Sequence, residues 1–194
     1  MGSHNSDEFI AWQRSLAGDG HAFAVIFDLH YPRVHRHIVW ANGSTDDVDD
    51  LAAATFMELW RKRDRVRLID ESVLPWLLVT AGNMARNGKR AQHRYRKLLA
   101  TLPTPENTPD VSNEVGDRLD AEHRHGELAT ALKTLPRVDQ ELISLTTYEG
   151  LSLNDAALAV GISYGAAKTR LSRARRHLST HLSHLHVQEE GIRT

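Results

Sequence analysis

Residues 151–178 of the 194-residue chain read LSLNDAALAVGISYGAAKTRLSRARRHL, and this stretch decides the fold of the C-terminal half. Ser152 is followed three residues later by Asp155, a spacing typical of a capping box, which predicts that a short helix begins here. Gly161 can take the left-handed conformation that ends this helix. Two helices separated by a glycine turn predict a helix-turn-helix.

The second helix of this motif divides into an apolar face and a basic face. Ser163 can cap it, and residues 161–176 carry five basic side chains and no acidic one. With about 100° per residue, Leu171, Ala174 and Leu178 lie within about 40° of Ala167, and these four residues form an inward-facing stripe. The opposite face, predicted to enter the major groove of DNA, presents Gly165, Thr169, Ser172, Arg173 and Arg176, with Ala166 near its edge and Lys168 on its flank. Thr169, Ser172 and Arg173 can reach base edges, and flanking cations can neutralise phosphates.

Composition excludes several classes of protein. Hydrophobic residues make up 41% and charged residues 25% of the chain, as in an ordinary soluble globular protein. The absence of cysteine excludes disulfide scaffolds, thiolate zinc sites and cysteine nucleophiles. No apolar run approaches the roughly 20 residues that span a bilayer, so we expect a cytoplasmic protein without membrane insertion. Because neither a phosphate-binding glycine loop nor a catalytic motif is present, we expect no cofactor and no enzymatic activity.

The N-terminal half has the apolar periodicity of helices. Apolar residues recur at steps of three and four over residues 23–38 and again over residues 48–60. A third helix is predicted to start near Ser72, and a short helix to lie around residues 9–16. Together they predict a compact all-helical domain over residues 1–100.

A change in amino-acid composition separates this half from the helix-turn-helix. Residues 101–125 contain several prolines and acidic residues and little that can pack, which predicts a flexible linker. Residues 126–194 then form the second domain, with a histidine-containing tail. The fold class predicted is therefore all-α, with two small helical domains joined by the linker.

The charge is distributed unevenly, although the formal net charge is only −1. Residues 86–97 contain six cations and no acid, and the helix-turn-helix supplies a second basic block. Two separated basic patches indicate two contacts with a polyanion. Either block alone fits a solvated helix face equally well, because charge runs are common on helices.

Both halves resemble one known family. The segments ALKTLPRVDQELISL, YEGLSLNDAALAVGIS and GAAKTRLSRARRHL, within residues 127–178, are similar to the minus-35-binding domain of extracytoplasmic-function (ECF) sigma factors. In the N-terminal half, DDVDDLAAATFMELWRKRDR and LPWLLVTAGNMARN resemble the domain that holds core RNA polymerase and melts the minus-10 element. The resemblance covers nearly the whole chain in the right order. It implies a sigma factor whose partners are core RNA polymerase and promoter DNA, and it makes an anti-sigma factor a plausible further partner.

The resemblance also implies which residues act. The polymerase-binding residues it implies are Asp50, Phe56, Trp60 and Arg61. Ala53 and Ala54 stand where the family commonly has glutamine and glutamate, which weakens the polar part of this surface. The residues implied for the minus-10 element are Asn83, which matches an asparagine that captures a flipped base, and Arg86, Asn87, Lys89 and Arg90. Gly82, just before Asn83, is an unusual residue within a helix.

The resemblance assigns the basic face of the last helix to the minus-35 element. In this family a threonine-valine pair often occupies the positions of Ala166 and Ala167, so one base contact is missing here. For residues 101–125 it implies the connector that passes through the RNA exit path of the polymerase, whereas composition alone fits a passive tether equally well.

Two other readings of the residues stay open. A helix-turn-helix regulator that never joins polymerase explains the C-terminal half equally well, but it does not explain the first domain. Histidines with metal-ligand spacing form two groups, His177, His181, His184 and His186 in the tail and His30, His35 and His37 near the start. Since neither cysteine nor an acidic ligand accompanies the tail group, we expect no metal site.

Overall fold

The computed structural model describes residues 2–42, 47–99 and 130–192, and in these ranges the only extended pairing is an isolated bridge between Ile69 and Ser72. The all-α prediction is confirmed. The helices of the first half are α1 (Gly2–Leu16), α2 (Gly20–Asn42), α3 (Val48–Lys62) and α4 (Leu74–Leu99), with a 3₁₀ turn over Arg63–Arg65.

The second half contains shorter elements. They are α5 (residues 130–134), α6 (Arg137–Ile143), a π-helical segment (Ser144–Tyr148), α7 (Leu153–Val160) and α8 (Tyr164–Ile192). The predicted linker over 101–125 lies outside the described residues. The domain boundaries at residues 100 and 126 therefore stay predictions.

Helix α2 is the centre of the first half, because α1, α3 and α4 all pack against it. The buried core of the first half includes Trp12, Ile26, Ile38, Leu59 and Leu77. Each buried side chain of this size contributes about 1.5–3 kcal/mol relative to exposure, so the cluster fixes the positions of α3 and α4.

A buried carboxylate connects three elements of this half. Glu8 Oε1 lies 2.8 Å from His30 Nε2 and accepts hydrogen bonds from Ser72 Oγ at 2.9 Å and from Val73 N at 2.8 Å. Burial by itself raises the pKa of Glu8, but the hydrogen bond and charge of His30, with the bonds from Val73 and Ser72, outweigh it and lower the pKa below its usual value. Glu8 thereby fixes the start of α4 relative to α1 and α2.

The predicted helix-turn-helix is confirmed in its local geometry. Ser152 Oγ accepts from Asp155 N at 3.1 Å, so the capping box forms at the start of α7. Gly161 ends α7 with a φ of 80°, in the left-handed region that favours glycine. Ser163 Oγ then accepts from Ala166 N at 3.2 Å and caps α8.

One feature of the second core was not predicted from the sequence. The apolar stripe of α8 is buried with Leu142 and Leu145, and Leu74 and Leu78 of α4 belong to the same cluster. Leu77 of α4 instead belongs to the core of the first half. Helix α4 therefore contributes to both cores and joins the two halves.

Candidate nucleic-acid and partner interfaces

The basic face of α8 is free while its opposite face is anchored. In the apolar stripe, Ala167 is 0%, Leu171 6% and Ala174 1% exposed. All residues predicted to face the minus-35 element are exposed: Gly165, Ala166, Lys168, Thr169, Ser172, Arg173 and Arg176. The helix is thus anchored by its buried apolar stripe and presents small and basic side chains to solvent, as major-groove reading requires.

A groove runs beside the first turns of α8. It has a volume of about 550 Å³ and is lined by Pro136, Asp139, Gly165, Ala166, Thr169, Arg170 and Arg173. Arg170 Nη1 donates to Asp139 Oδ1 at 2.9 Å, which ties α8 to α6. Thr169 Oγ1 donates to the carbonyl oxygen of Gly165 at 3.0 Å, so its oxygen is still available as an acceptor. Arg170 therefore positions the helix, whereas Arg173 extends from it.

Helix α3 presents a second exposed stripe. On the helical wheel the residues within about 60° of Asp50 are Ala53, Ala54, Met57 and Arg61, and all of them are exposed. Met57 is 68% exposed, which is unusual for a large apolar side chain. Sequence reasoning missed Met57, although its position one turn after Ala53 and Ala54 on the face of Asp50 was a usable signal.

Two residues predicted for polymerase binding, Phe56 and Trp60, pack against other side chains of the first half. Phe56 is 2% exposed and its ring centroid lies 4.6 Å from that of Phe27, because position 56 faces the core when Asp50 faces solvent. Trp60 is half-buried, with its ring 5.0 Å from Phe23 and the Arg63 guanidinium 4.4 Å above it. Phe56 therefore supports the exposed stripe from below and does not reach a partner directly.

The predicted minus-10 residues lie on α4, and two of them, Asn83 and Arg86, contact the second half. Asn83 Oδ1 accepts from Arg86 Nη2 at 3.1 Å and from the guanidinium of Arg137 on α6. Arg86 also pairs with the carboxylate of Glu141 on α6. Asn87 is exposed, and the side chains of Lys89 and Arg90 lie outside the described part of the chain. The structure thus brings Asn83 and Arg86 together, but beneath residues of the other half.

The histidines do not assemble into a metal centre where the chain is described. Within those residues, three or more histidine, aspartate or glutamate side chains never come together as metal ligands would. His30 and His37 instead pair with Glu8 and Glu149. The side chains of His181, His184 and His186 lie outside the described residues, so the prediction for the tail stays untested. Among the described helices, none has the length and apolar content to cross a membrane.

Comparison with known families matches both halves separately. Residues 26–95 match sigma-70 region 2, and residues 125–178 match sigma-70, region 4. The sigma factor NccH of Alcaligenes xylosoxydans xylosoxydans is 31% identical over 181 residues, which cover 89% of this chain and 92% of NccH. The ECF sigma factor SigF of Caulobacter vibrioides is 31% identical over 86% of this chain and 88% of its own length.

The chain is an ECF RNA polymerase sigma factor. It directs RNA polymerase to promoters, as members of this family do, and the region 2 match accounts for the first domain that an autonomous regulator leaves unexplained. The fold is also that of solved sigma factors: the structure of CnrH in complex with the cytosolic domain of CnrY superposes with a TM-score of 0.62 at 22% identity, covering 91% of this chain and 97% of that one.

Proposed function

We propose that this sigma factor docks on core RNA polymerase through α3, reads the minus-35 duplex with α8 and opens the minus-10 element with α4. The observation that carries the proposal is the geometry of α8, a helix behind a glycine turn that buries its apolar stripe and leaves all its predicted reading residues exposed. A factor of this kind initiates transcription without catalysing a reaction of its own and works in the cytoplasm, where it meets polymerase.

At the minus-35 element, different side chains of α8 are suited to base contacts and to phosphate contacts. Arg173 can donate two hydrogen bonds to the edge of a guanine, and Lys168 and Arg176 can neutralise phosphates. Ala166 offers only a methyl group, which suits an apolar contact with the methyl group of thymine. Because Arg170 is held by Asp139 at 2.9 Å, α8 meets the groove in a fixed orientation.

At the minus-10 element, the side-chain amide of Asn83 can pair with the edge of an unstacked base. Flipping a base costs a few kcal/mol, which pocket contacts and backbone cations have to offset. Arg86 and Asn87 lie one turn further along α4, where they can contact the strand that carries this base.

For polymerase docking, the exposed stripe of α3 supplies an apolar centre with a polar rim. Met57 lies in the middle, Ala53 and Ala54 are small enough to allow close approach, and Asp50 and Arg61 flank them. Interfaces commonly combine such an apolar centre with polar edges. The apolar contact offsets part of what the missing glutamine-glutamate pair would contribute.

The two DNA surfaces gain affinity from each other. Neither has to bind tightly, because polymerase holds both at a fixed spacing and the second contact is then made at high effective concentration. Regulation by an anti-sigma factor is part of the proposal, since CnrH was solved with the cytosolic domain of CnrY, and RpoE from Bartonella quintana with the anti-sigma factor NepR.

Reconstitution tests the proposal. The purified chain is mixed with core RNA polymerase, and transcripts from fragmented genomic DNA are mapped at their 5′ ends. We expect the chain to comigrate with core polymerase and to direct it to a defined set of start sites. A chain that binds duplex DNA tightly on its own and never associates with core polymerase would contradict the proposal.

A further inference from the structure

The groove beside the first turns of α8 contains an acidic side chain, which is unusual for a surface proposed to approach DNA. Asp139 of α6 lines this groove together with residues of α8 that are predicted to face the minus-35 element. The facing segment, residues 161–176, carries five basic side chains and no acidic one. A carboxylate among these cations repels phosphate and so weakens the contact with the DNA backbone that the cations favour.

The carboxylate of Asp139 is held in one orientation. Arg170 Nη1 donates to Asp139 Oδ1 at 2.9 Å, and the Asp139 side chain is 11% exposed. The backbone N–H of Asp139 also donates to the carbonyl oxygen of Pro136 at 2.9 Å, which fixes the residue at the start of α6. A carboxylate offers about four lone-pair sites, and the Arg170 Nη1 donor uses one of them. Asp139 therefore retains the capacity to accept a hydrogen bond from a ligand in the groove.

The wall that α8 contributes near its start is low, which leaves room for a base edge. Gly165 has no side chain and Ala166 has only a methyl group, and both residues are exposed. A Cβ added at Gly165 would meet no atom within 4 Å, so packing within the chain does not require glycine there. The groove has a volume of about 550 Å³, many times the roughly 30 Å³ that a water molecule occupies. Close approach of DNA gives a reason for the small residues that the fold itself does not give.

A strong donor shares the groove with this acceptor. Arg173 lines the same groove and is exposed. An arginine suits the O6 and N7 acceptors of guanine, whereas a carboxylate accepts from the N4 amino group of cytosine. Arg173 and Asp139 together therefore match the chemical groups that a G·C pair presents in the major groove. A phosphate, by contrast, would suit Arg173 and be repelled by Asp139.

We infer that Asp139 is a further specificity-determining residue, which accepts a hydrogen bond from the amino group of a cytosine in the minus-35 element. The inference rests on the proposed function for the placement of α8 in the major groove. It adds a reading side chain from α6 to a surface that otherwise consists of α8 alone. The cytosine edge enters the groove beside Ala166, where the methyl group leaves space for it.

Arg170 is the positioning residue for this contact. Its guanidinium balances the negative charge of Asp139 and fixes the direction of the carboxylate. Lysine at this position would keep the charge but lose the planar group with its fixed donor directions. Arg170→Lys should therefore weaken the preference for cytosine, and it should do so less than removal of the carboxylate.

Selection from a promoter library tests the inference with intact holoenzyme. The minus-35 element is randomised, and bound fragments are sequenced for the parent and for each variant. We expect one position at which the parent favours cytosine. Asp139→Asn should lower this preference roughly tenfold, the equivalent of one hydrogen bond to a charged group. It should also raise the acceptance of adenine there, because an asparagine amide pairs with adenine N6 and N7. Asp28→Asn, the same change at an exposed position of α2, should leave every preference as in the parent.

Asp139→Ala distinguishes reading of a base from a structural role. It should remove the preference at that one position and keep the binding of library members that lack the cytosine, because it also removes a charge that repels phosphate. A parent profile without any cytosine preference would overturn the inference, and so would an equal loss of affinity for all sequences in both Asp139 variants. In either case, a preference that Arg173→Ala relaxes would leave the proposed function standing. If Arg173→Ala also leaves every minus-35 preference unchanged, the proposed role of α8 is wrong.

Discussion

The two surfaces proposed to contact DNA differ in how far their side chains are already bound by the rest of the chain. On α8, every predicted reading residue is exposed, and Arg170 beside them donates to Asp139. On α4, Asn83 and Arg86 are engaged by Arg137 and Glu141. One surface proposed to contact DNA is open to solvent, whereas the other contacts residues of the second half.

This difference suggests an order of events. Duplex recognition needs no rearrangement of α8, because its side chains project from a helix already anchored by Ala167, Leu171 and Ala174. Under the proposed function, strand capture by Asn83 and Arg86 replaces their contacts with Arg137 and Glu141 of α6.

Removing an apolar contact between the two halves of the chain should have the largest effect on stability. Leu78→Ala empties a position that is 0% exposed in the second cluster, and such truncations cost about 2–5 kcal/mol. Urea unfolding should therefore show a large loss of stability in the free chain. Leu158→Ala, at a 59% exposed position of α7, is the matched control and should stay within about 0.5 kcal/mol of the parent chain. Equal stabilities of the two variants would mean that the halves do not pack through Leu78.

Removing a reading side chain from the free surface should affect DNA binding alone. We expect Arg173→Ala to weaken promoter binding by the holoenzyme by about 1–3 kcal/mol, with relaxed sequence preference at one minus-35 position. Arg175→Ala removes the same charge from a part of α8 outside the predicted reading face and should leave that preference intact. Band shifts over a set of single-base promoter variants distinguish the two. If both variants lose affinity equally for all promoter variants, Arg173 contacts only a phosphate and reads no base.

The α3 stripe extends the comparison to a third surface, which is uncovered like that of α8. Met57→Asp places a charge at the centre of the proposed docking face and should weaken core polymerase binding by about 1–2 kcal/mol. Val25→Asp changes another exposed apolar residue, on α2, and serves as the control. Titration of labelled sigma factor with core polymerase measures both. If Val25→Asp has the larger effect, polymerase docks elsewhere.

The smallest effect concerns pH and the covered side of the molecule. Burial by itself raises the pKa of Glu149, but the hydrogen bond and charge of His37 and the charge and hydrogen bonds of Arg33 outweigh it and lower the pKa below its ordinary value of 4.5. Because the folded pKa is the lower one, the stabilisation is fully present above about pH 4.5 and is lost as the pH falls through the folded value. Parent chain and Glu149→Gln should thus differ in unfolding free energy near neutral pH and converge in acid. A difference that grows on acidification would reverse the assigned sign.

The sequence predicted those parts of the molecule that depend on local rules. The capping box at Ser152, the glycine turn at Gly161 and the stripe from Ala167 to Ala174 all follow from spacing, and the structure confirms them. These features depend only on residues within one or two turns of each other, which is why a single sequence is enough to find them.

The contacts between the halves did not follow from the sequence. Leu74 and Leu78 have the same apolar character as Leu77, and periodicity alone does not indicate that they serve a different core. The π-helical turn that brings Glu149 to Arg33 has no local sequence signature. Gly82 was noticeable as an oddity, but its reason is a carboxylate 59 positions away along the chain, which only the tertiary structure supplies.

We propose that α8 reads duplex DNA and that α4 captures an opened strand. Permanganate footprinting, which detects unpaired thymines, combined with nuclease footprinting on the same holoenzyme–promoter complexes, distinguishes these two roles. We predict that Asn83→Ala holoenzyme keeps its upstream protection and loses permanganate reactivity at the minus-10 element. Arg173→Ala holoenzyme should lose upstream protection and still melt those promoters that it occupies. Identical, general loss of both signals in the two variants would contradict this division between α4 and α8.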